Sequence, residues 1–122
     1  MTHILVIEDD EQFREMLVQM LTADNHRVTV ARDGEEGLRL AAQAKPELII
    51  TDILMPKKDG IETIMELAKQ GAGVPIIAIS GGRRSISAEF NLESASLMGV
   101  KATLAKPFTR DELRKAIGQA LG

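Results

Sequence analysis

Ile4-Leu5-Val6-Ile7 runs without a polar residue into Glu8-Asp9-Asp10-Glu11, and the fold class follows from that join. A strand with no polar alternation must be covered on both faces, the condition of an interior strand in a parallel sheet flanked by helices. Leu48-Ile49-Ile50 and Ile76-Ile77-Ala78-Ile79 read the same way. Val28-Thr29-Val30 and Ala102-Thr103-Leu104-Ala105, each interrupted by a threonine, read as edge strands. Between the strands lie apolar stripes at helical spacing: Phe13, Met16, Leu17, Met20 and Leu21; Leu38, Ala41 and Ala42; Ile61, Ile64, Met65 and Ala68; Leu113, Ala116, Ile117, Ala120 and Leu121. A further, fainter helix is expected over residues 86–98. Asp33-x-x-Glu36, Asp59-x-x-Glu62 and Thr109-x-x-Glu112 each set a capping oxygen three residues ahead of a glutamate, as helix starts prefer. Five βα units with right-handed crossovers predict an open, doubly wound α/β sheet of five parallel strands in the order 2-1-3-4-5.

Composition narrows what such a sheet could do. The 122 residues, 44% hydrophobic and 27% charged, suit one globular domain spanning residues 1–122. No apolar run reaches the roughly 18 residues of a membrane span, and Met1-Thr2-His3 leads straight into a strand without a signal-like stretch. A soluble, cytoplasmic protein with no membrane contact is expected. The absence of cysteine excludes disulfides, a thiol nucleophile and thiolate metal sites, and His3 and His26 offer little to zinc. Fifteen basic against 18 acidic residues give a net charge of −3, which argues against direct nucleic-acid binding. Three phenylalanines with no Trp or Tyr leave no platform for stacking bases or a flavin.

Ligands of doubly wound sheets bind beyond the carboxyl ends of the strands at the switch point, here between the first and third strands. The first strand ends in Glu8-Asp9-Asp10-Glu11 and the third in Thr51-Asp52, so acids from separate parts of the chain converge on one crevice. Carboxylates that close raise one another's pKa, and a hard divalent cation with oxygen ligands, Mg²⁺ in a cell, relieves them. Asp10 is read as the cap of the first helix, while Asp9 and Asp52 are read as metal ligands. The fourth strand delivers Ser80-Gly81-Gly82 to the same edge and the fifth Lys106-Pro107-Phe108. Taken singly, a Lys before Pro is usually a surface residue and Ser-Gly-Gly usually a turn. Together, metal, ammonium and hydroxyl make a cage for a phosphoryl group.

Four segments in order resemble the receiver domains of two-component response regulators, over essentially the whole chain. They are Ile4-Leu5-Val6-Ile7-Glu8-Asp9-Asp10 with Arg14, Asp52-Ile53-Leu54-Met55-Pro56-x-x-Asp59-Gly60, Val74-Pro75-Ile76-Ile77-Ala78-Ile79-Ser80, and Lys106-Pro107-Phe108. The resemblance implies a flavodoxin-like (βα)5 fold and phosphorylation of Asp52. It implies Mg²⁺ held by Asp9, Asp52 and the Leu54 carbonyl, with Glu8 acting through water. It further implies that Ser80 and Lys106 contact the phosphoryl oxygens, that the Lys106-Pro107 peptide is cis, and that a histidine kinase or histidine phosphotransfer protein is the donor. A downstream target protein would then read the switch through the Ser80 loop and the face of the fourth helix, fifth strand and fifth helix.

Such a chain is a phosphoacceptor rather than an enzyme. Leu54 stands two residues after Asp52, where aspartate-based phosphohydrolases place their general acid, so rapid turnover is not expected. Leu54 and Gly82 are expected to set the phosphoryl lifetime. Thr103 replaces the aromatic that many receivers carry before the lysine turn, so another element must report the phosphoryl; Gly81-Gly82-Arg83-Arg84-Ser85 is expected to reorder and to offer Arg83 or Arg84 to a partner. Phe13, Met16 and Phe108 could rim the crevice for a docking helix bundle, although such residues are more often core. The sequence ends soon after the last apolar stripe with no output domain in this chain, which reads as a stand-alone receiver that docks to a target or as one piece of a longer polypeptide. The alternative is a receiver-like interaction module that works without phosphorylation; a flavodoxin-like cofactor carrier is disfavoured because Glu8-Asp9-Asp10-Glu11 would repel a phosphate.

Overall fold

A computed structural model describes residues 2–52, 60–69, 73–80 and 100–122, the side chains of residues 60–62, 68 and 80 excepted. Leu54, the loop of residues 81–85, the helix expected over residues 86–98 and the Asp59 cap lie outside the described residues. The strands are β1 (His3–Ile7), β2 (Arg27–Ala31), β3 (Leu48–Asp52), β4 (Ile76–Ser80) and β5 (Ala102–Ala105). The helices α1 (Glu11–Ala23), α2 (Gly34–Ala44) and α3 (Gly60–Lys69) fall between them, and a last helix covers Arg110–Leu121. All strand pairs are parallel, in the order β2-β1-β3-β4-β5. The threonine-bearing strands β2 and β5 are the edges, as their mixed polarity predicts.

The uninterrupted apolar runs divide by parity. Ile4, Val6, Leu48, Ile50, Ile77 and Ile79 point to one face, where Leu17 and Leu21 of α1 and Leu113, Ala116, Ile117 and Ala120 of the last helix meet them. Leu5, Ile7, Ile49, Ile76 and Ala78 point to the other, against Leu38 and Ala41 of α2 and Ile64 and Leu67 of α3. Successive side chains of a strand alternate between faces, so a strand covered on both sides is apolar through its middle, and the polar residues of these strands, His3, Thr51, Asp52 and Ser80, fall at their ends.

Local chemistry fixes the helix starts. Asp33 accepts a hydrogen bond from the Glu36 N–H at 2.9 Å, and the Glu36 carboxylate accepts one from the Arg32 N–H at 2.7 Å. Thr109 and Glu112 form a reciprocal capping box, with bonds of 3.1 and 2.8 Å. Gly37 is where α2 comes closest to the sheet: a Cβ there would collide with Ile7 Cδ1 and lie 2.8 Å from Ile7 Cγ1. Only glycine permits that approach. The apolar stripes prove narrower than their spacing predicts, since Met16, Met65 and Leu121 are 37%, 47% and 44% exposed and Ala42 is exposed too. Each lies at the rim of a stripe whose centre already fills the space against the sheet. No described helix is long and apolar enough to cross a membrane.

Candidate functional site

Parallel register brings the first two acids together. Ile7 pairs with Thr51, so Glu8 and Asp52, each one residue further on, emerge side by side at the carboxyl edge. Asp52 in turn is level with Ile79 of β4, and Ile79 with Leu104 of β5, which puts Lys106 just beyond that row. Asp52 shares the parity of Leu48 and Ile50, so its side chain faces the α1 side of the sheet.

Glu8 and Asp52 are both buried, at 1% and 4% exposure. The Lys106 ammonium sits between them: Nζ donates to Asp52 Oδ2 at 2.8 Å and lies 2.8 Å from Glu8 Oε1. Glu8 Oε2 accepts the Asp10 N–H at 3.1 Å. Glu8 Oε1 is fully enclosed and lies 2.8 Å from Lys106 Nζ, and among the described residues no donor is aligned on it for a hydrogen bond. The turn carrying Glu8 is held at both ends, by its N–H to the Ala31 carbonyl at 3.0 Å and by Arg14 Nη1 to its own carbonyl at 3.0 Å. Asp10 caps α1 by accepting the Gln12 and Phe13 N–H groups, the role its sequence position predicts.

Burial sets the electrostatics. Loss of solvent pushes the Glu8 carboxyl up to about 8, and the Asp52 charge adds to the rise; Lys106 and the Asp10 N–H oppose it. For Lys106, burial works against the charge, yet the bond to Asp52 and the nearby Glu8 carboxylate outweigh it and hold the ammonium above its ordinary value. An acid near neutrality beside a fixed cation is an arrangement seen where groups exchange protons or bind cations.

Asp9 stands exposed at the mouth, and Glu8, Asp9 and Asp52 each offer an oxygen within 4.8 Å of the others. The donor set fits Mg²⁺: all oxygen, two to three carboxylates, and one enclosed oxygen lacking an aligned donor. Two features here escape the sequence reading. Glu8 is the buried acid and Asp9 the exposed one, and Phe13 lies over Lys106 with its ring centroid 4.0 Å from Nζ. Phe108 braces that ring edge-on, centroids 5.6 Å apart and planes at 86°. Phe108 is buried, Phe13 half-buried and Met16 exposed. The Lys106-Pro107 peptide is cis. The Ser80 backbone ends β4 beside Ala105 of β5, while its side chain and the Leu54 carbonyl lie outside the described residues.

Comparison with known proteins places this geometry among relatives. The response regulator receiver domain model matches residues 4–118. The chain is 37% identical over 120 residues to the probable C4-dicarboxylate response regulator DctR of Bacillus subtilis, covering 93% of this chain and 50% of that protein. It is 34% identical over 119 residues to the transcriptional regulatory protein GlrR of Escherichia coli, covering 98% of this chain and 26% of that one. The chain therefore spans half or less of the length of these curated relatives. Among solved structures, a response regulator receiver domain protein from Clostridium thermocellum superposes with a TM-score of 0.85 at 28% identity, covering 99% of this chain and 94% of that one. The Vibrio cholerae chemotaxis protein CheY4 superposes with a TM-score of 0.88 at 27% identity, covering 99% of both chains.

Proposed function

The chain belongs to the response regulator receiver domain family, and from that premise we propose that it is the phosphoacceptor of a two-component or phosphorelay system, with Asp52 as the acceptor. The observation that carries the proposal is the Lys106 ammonium, 2.8 Å from both Asp52 and Glu8 at the carboxyl edge of the sheet.

In this reading the Asp52 carboxylate attacks the phosphorus of a phosphohistidine on a sensor kinase or phosphotransfer protein. The P–N bond breaks, its electron pair stays with the imidazole, and an acyl phosphate forms on Asp52. Lys106 meets one phosphoryl oxygen and neutralises charge as it gathers there; the Ser80 hydroxyl is assigned to another. Glu8, Asp9, Asp52 and the Leu54 carbonyl would hold Mg²⁺, Glu8 through water, and the cation supplies charge stabilisation to the transferring group. Burial of Glu8 and Asp52 keeps bulk water from the nucleophile and strengthens every one of these attractions. A cytoplasmic setting and a downstream target protein complete the proposal. Relatives include transcriptional regulatory proteins, and the expectation of no direct nucleic-acid contact concerns this segment, through its net charge of −3 and its lack of Trp and Tyr.

The test is intact mass after incubation with Mg²⁺ and acetyl phosphate. One added phosphoryl is expected in the wild type and none in Asp52→Asn or with a chelator. A gain that survives Asp52→Asn would remove Asp52 as the acceptor. A wild type that binds Mg²⁺ but gains no mass, from acetyl phosphate or from a phosphohistidine donor, would favour the module that works without phosphorylation.

A further inference from the structure

Lys106 touches a third group that the proposed transfer does not use. An ammonium is a compact charge on a flexible four-carbon stem with no directional preference of its own, so its surroundings decide where it rests. Two carboxylates draw it into the cluster. The face of Phe13, negative through the ring quadrupole and 4.0 Å from Nζ, attracts it from α1.

The ring is itself well held. Phe13 lies in the first turn of α1, where its own N–H is tied to the capping Asp10 carboxylate at 3.2 Å. Phe108, two residues beyond Lys106 and 7% exposed, meets it edge to face. The segment that carries the ammonium therefore also braces the ring beneath it.

The two kinds of attraction respond differently to phosphotransfer. Once Asp52 is an acyl phosphate its own carboxylate charge is replaced by charge on the phosphoryl oxygens, further out, and a cation shared by Glu8 and Asp52 competes with Lys106 for both. The ring neither titrates nor binds a hard cation, so its attraction persists through the step. We propose that Phe13 is a positioning residue for Lys106, holding the ammonium at the carboxyl edge while the carboxylates exchange their charge for the phosphoryl group. This rests on the phosphoacceptor reading above, and its test is built to separate the two.

The first measurement is NMR of the full chain with ¹³C-labelled lysine, without metal or phosphoryl donor. The Lys106 ε-methylene protons are expected upfield, under the ring current of Phe13, in the wild type and in Phe13→Tyr, and at their ordinary position in Phe13→Leu. The second is the rate of Mg²⁺-dependent mass gain from acetyl phosphate. Phe13→Leu, which keeps apolar bulk without the quadrupole, is expected to be about fivefold slower, and Phe13→Tyr to recover to within about twofold of the wild type. Identical ε-methylene positions in the wild type and Phe13→Leu would overturn the proposal. So would equal rates for the Leu and Tyr variants. If the wild type gains no phosphoryl, the phosphoacceptor reading falls, and the ring-current comparison alone decides whether Phe13 holds Lys106.

Discussion

Among the described residues, the acid–base cluster at the carboxyl edge and the one joining α1 to the last helix behave in opposite ways. At the carboxyl edge, Lys106 bridges Glu8 and Asp52 in a nearly closed setting. Between α1 and the last helix, Asp24 Oδ1 meets Arg110 at 2.7 Å, and Asp24 takes two bonds from Arg114, at 2.9 and 3.0 Å. Both arginines stand about half exposed. In the first cluster burial dominates and Glu8 rises to about 8; in the second the Arg114 and Arg110 bonds dominate and hold Asp24 well below the usual carboxylate range. An acid that water and a guanidinium fork both favour stays charged and acts as a clasp. An acid stripped of water beside another acid is left close to changing state, which a purely structural pair has no need to be.

The largest expected effect is on the metal-free protein as pH changes. Folding raises Glu8 from 4.5 to about 8, so the folded chain binds that proton more tightly than the unfolded one. The stability this contributes is complete below about 4.5 and is lost as pH climbs through about 8, by up to about 5 kcal/mol. Urea unfolding at pH 5, 6.5 and 8 with a chelator reads it; a flat or rising profile would erase the contrast between the clusters. Next in size is Lys106→Met, expected to cost about 2 kcal/mol at pH 8, because it leaves the Asp52 carboxylate buried without its cation. The loss should shrink toward pH 5, where Glu8 keeps its proton in either form, and a pH-independent loss would point to packing instead. The smallest effect is expected from Arg114→Gln, a slight fall in thermal midpoint that disappears near 1 M salt, where screening reaches about 3 Å. Asp24 supports the fold above its ordinary value of 3.8, and that support is lost as pH falls through its depressed folded value, the reverse of Glu8. A salt-resistant loss in Arg114→Gln would make the clasp more than an exposed pair.

The sheet was legible in the sequence because burial on two faces leaves a mark that needs no partner to read. Ile4 to Ile7 and Ile76 to Ile79 could not belong to a half-solvated strand, and Thr29 and Thr103 betrayed the edges. The convergence of Glu8, Asp52 and Lys106 was legible for the same reason, once the strand order was known. Which acid is buried was not. The signal existed in parity, since Glu8 continues the Ile4 and Val6 alternation toward the α1 face, but charge density in Glu8 to Glu11 reads first as a solvated loop. Phe13 was legible as apolar, not as a partner of Lys106 93 positions away. The Asp24 clasp left no trace at all: its arginines are 86 and 90 residues distant, and no local pattern joins them. Met16, Met65 and Leu121 mark the opposite limit, because spacing fixes where a stripe lies but not how wide the neighbouring layer can cover it.

The division of the sheet by parity also settles where an observer can stand. Glu8, Asp52, Lys106 and Phe13 keep company with α1 and the last helix, whereas Met65 sits 47% exposed on α3, across the sheet. The chain has no cysteine and no tryptophan. A single Met65→Cys thiol would thus accept one fluorophore or spin label at one known address, on the layer opposite Lys106, and a change it registered on phosphoryl transfer would have been felt on the far side of the sheet from the group that receives it.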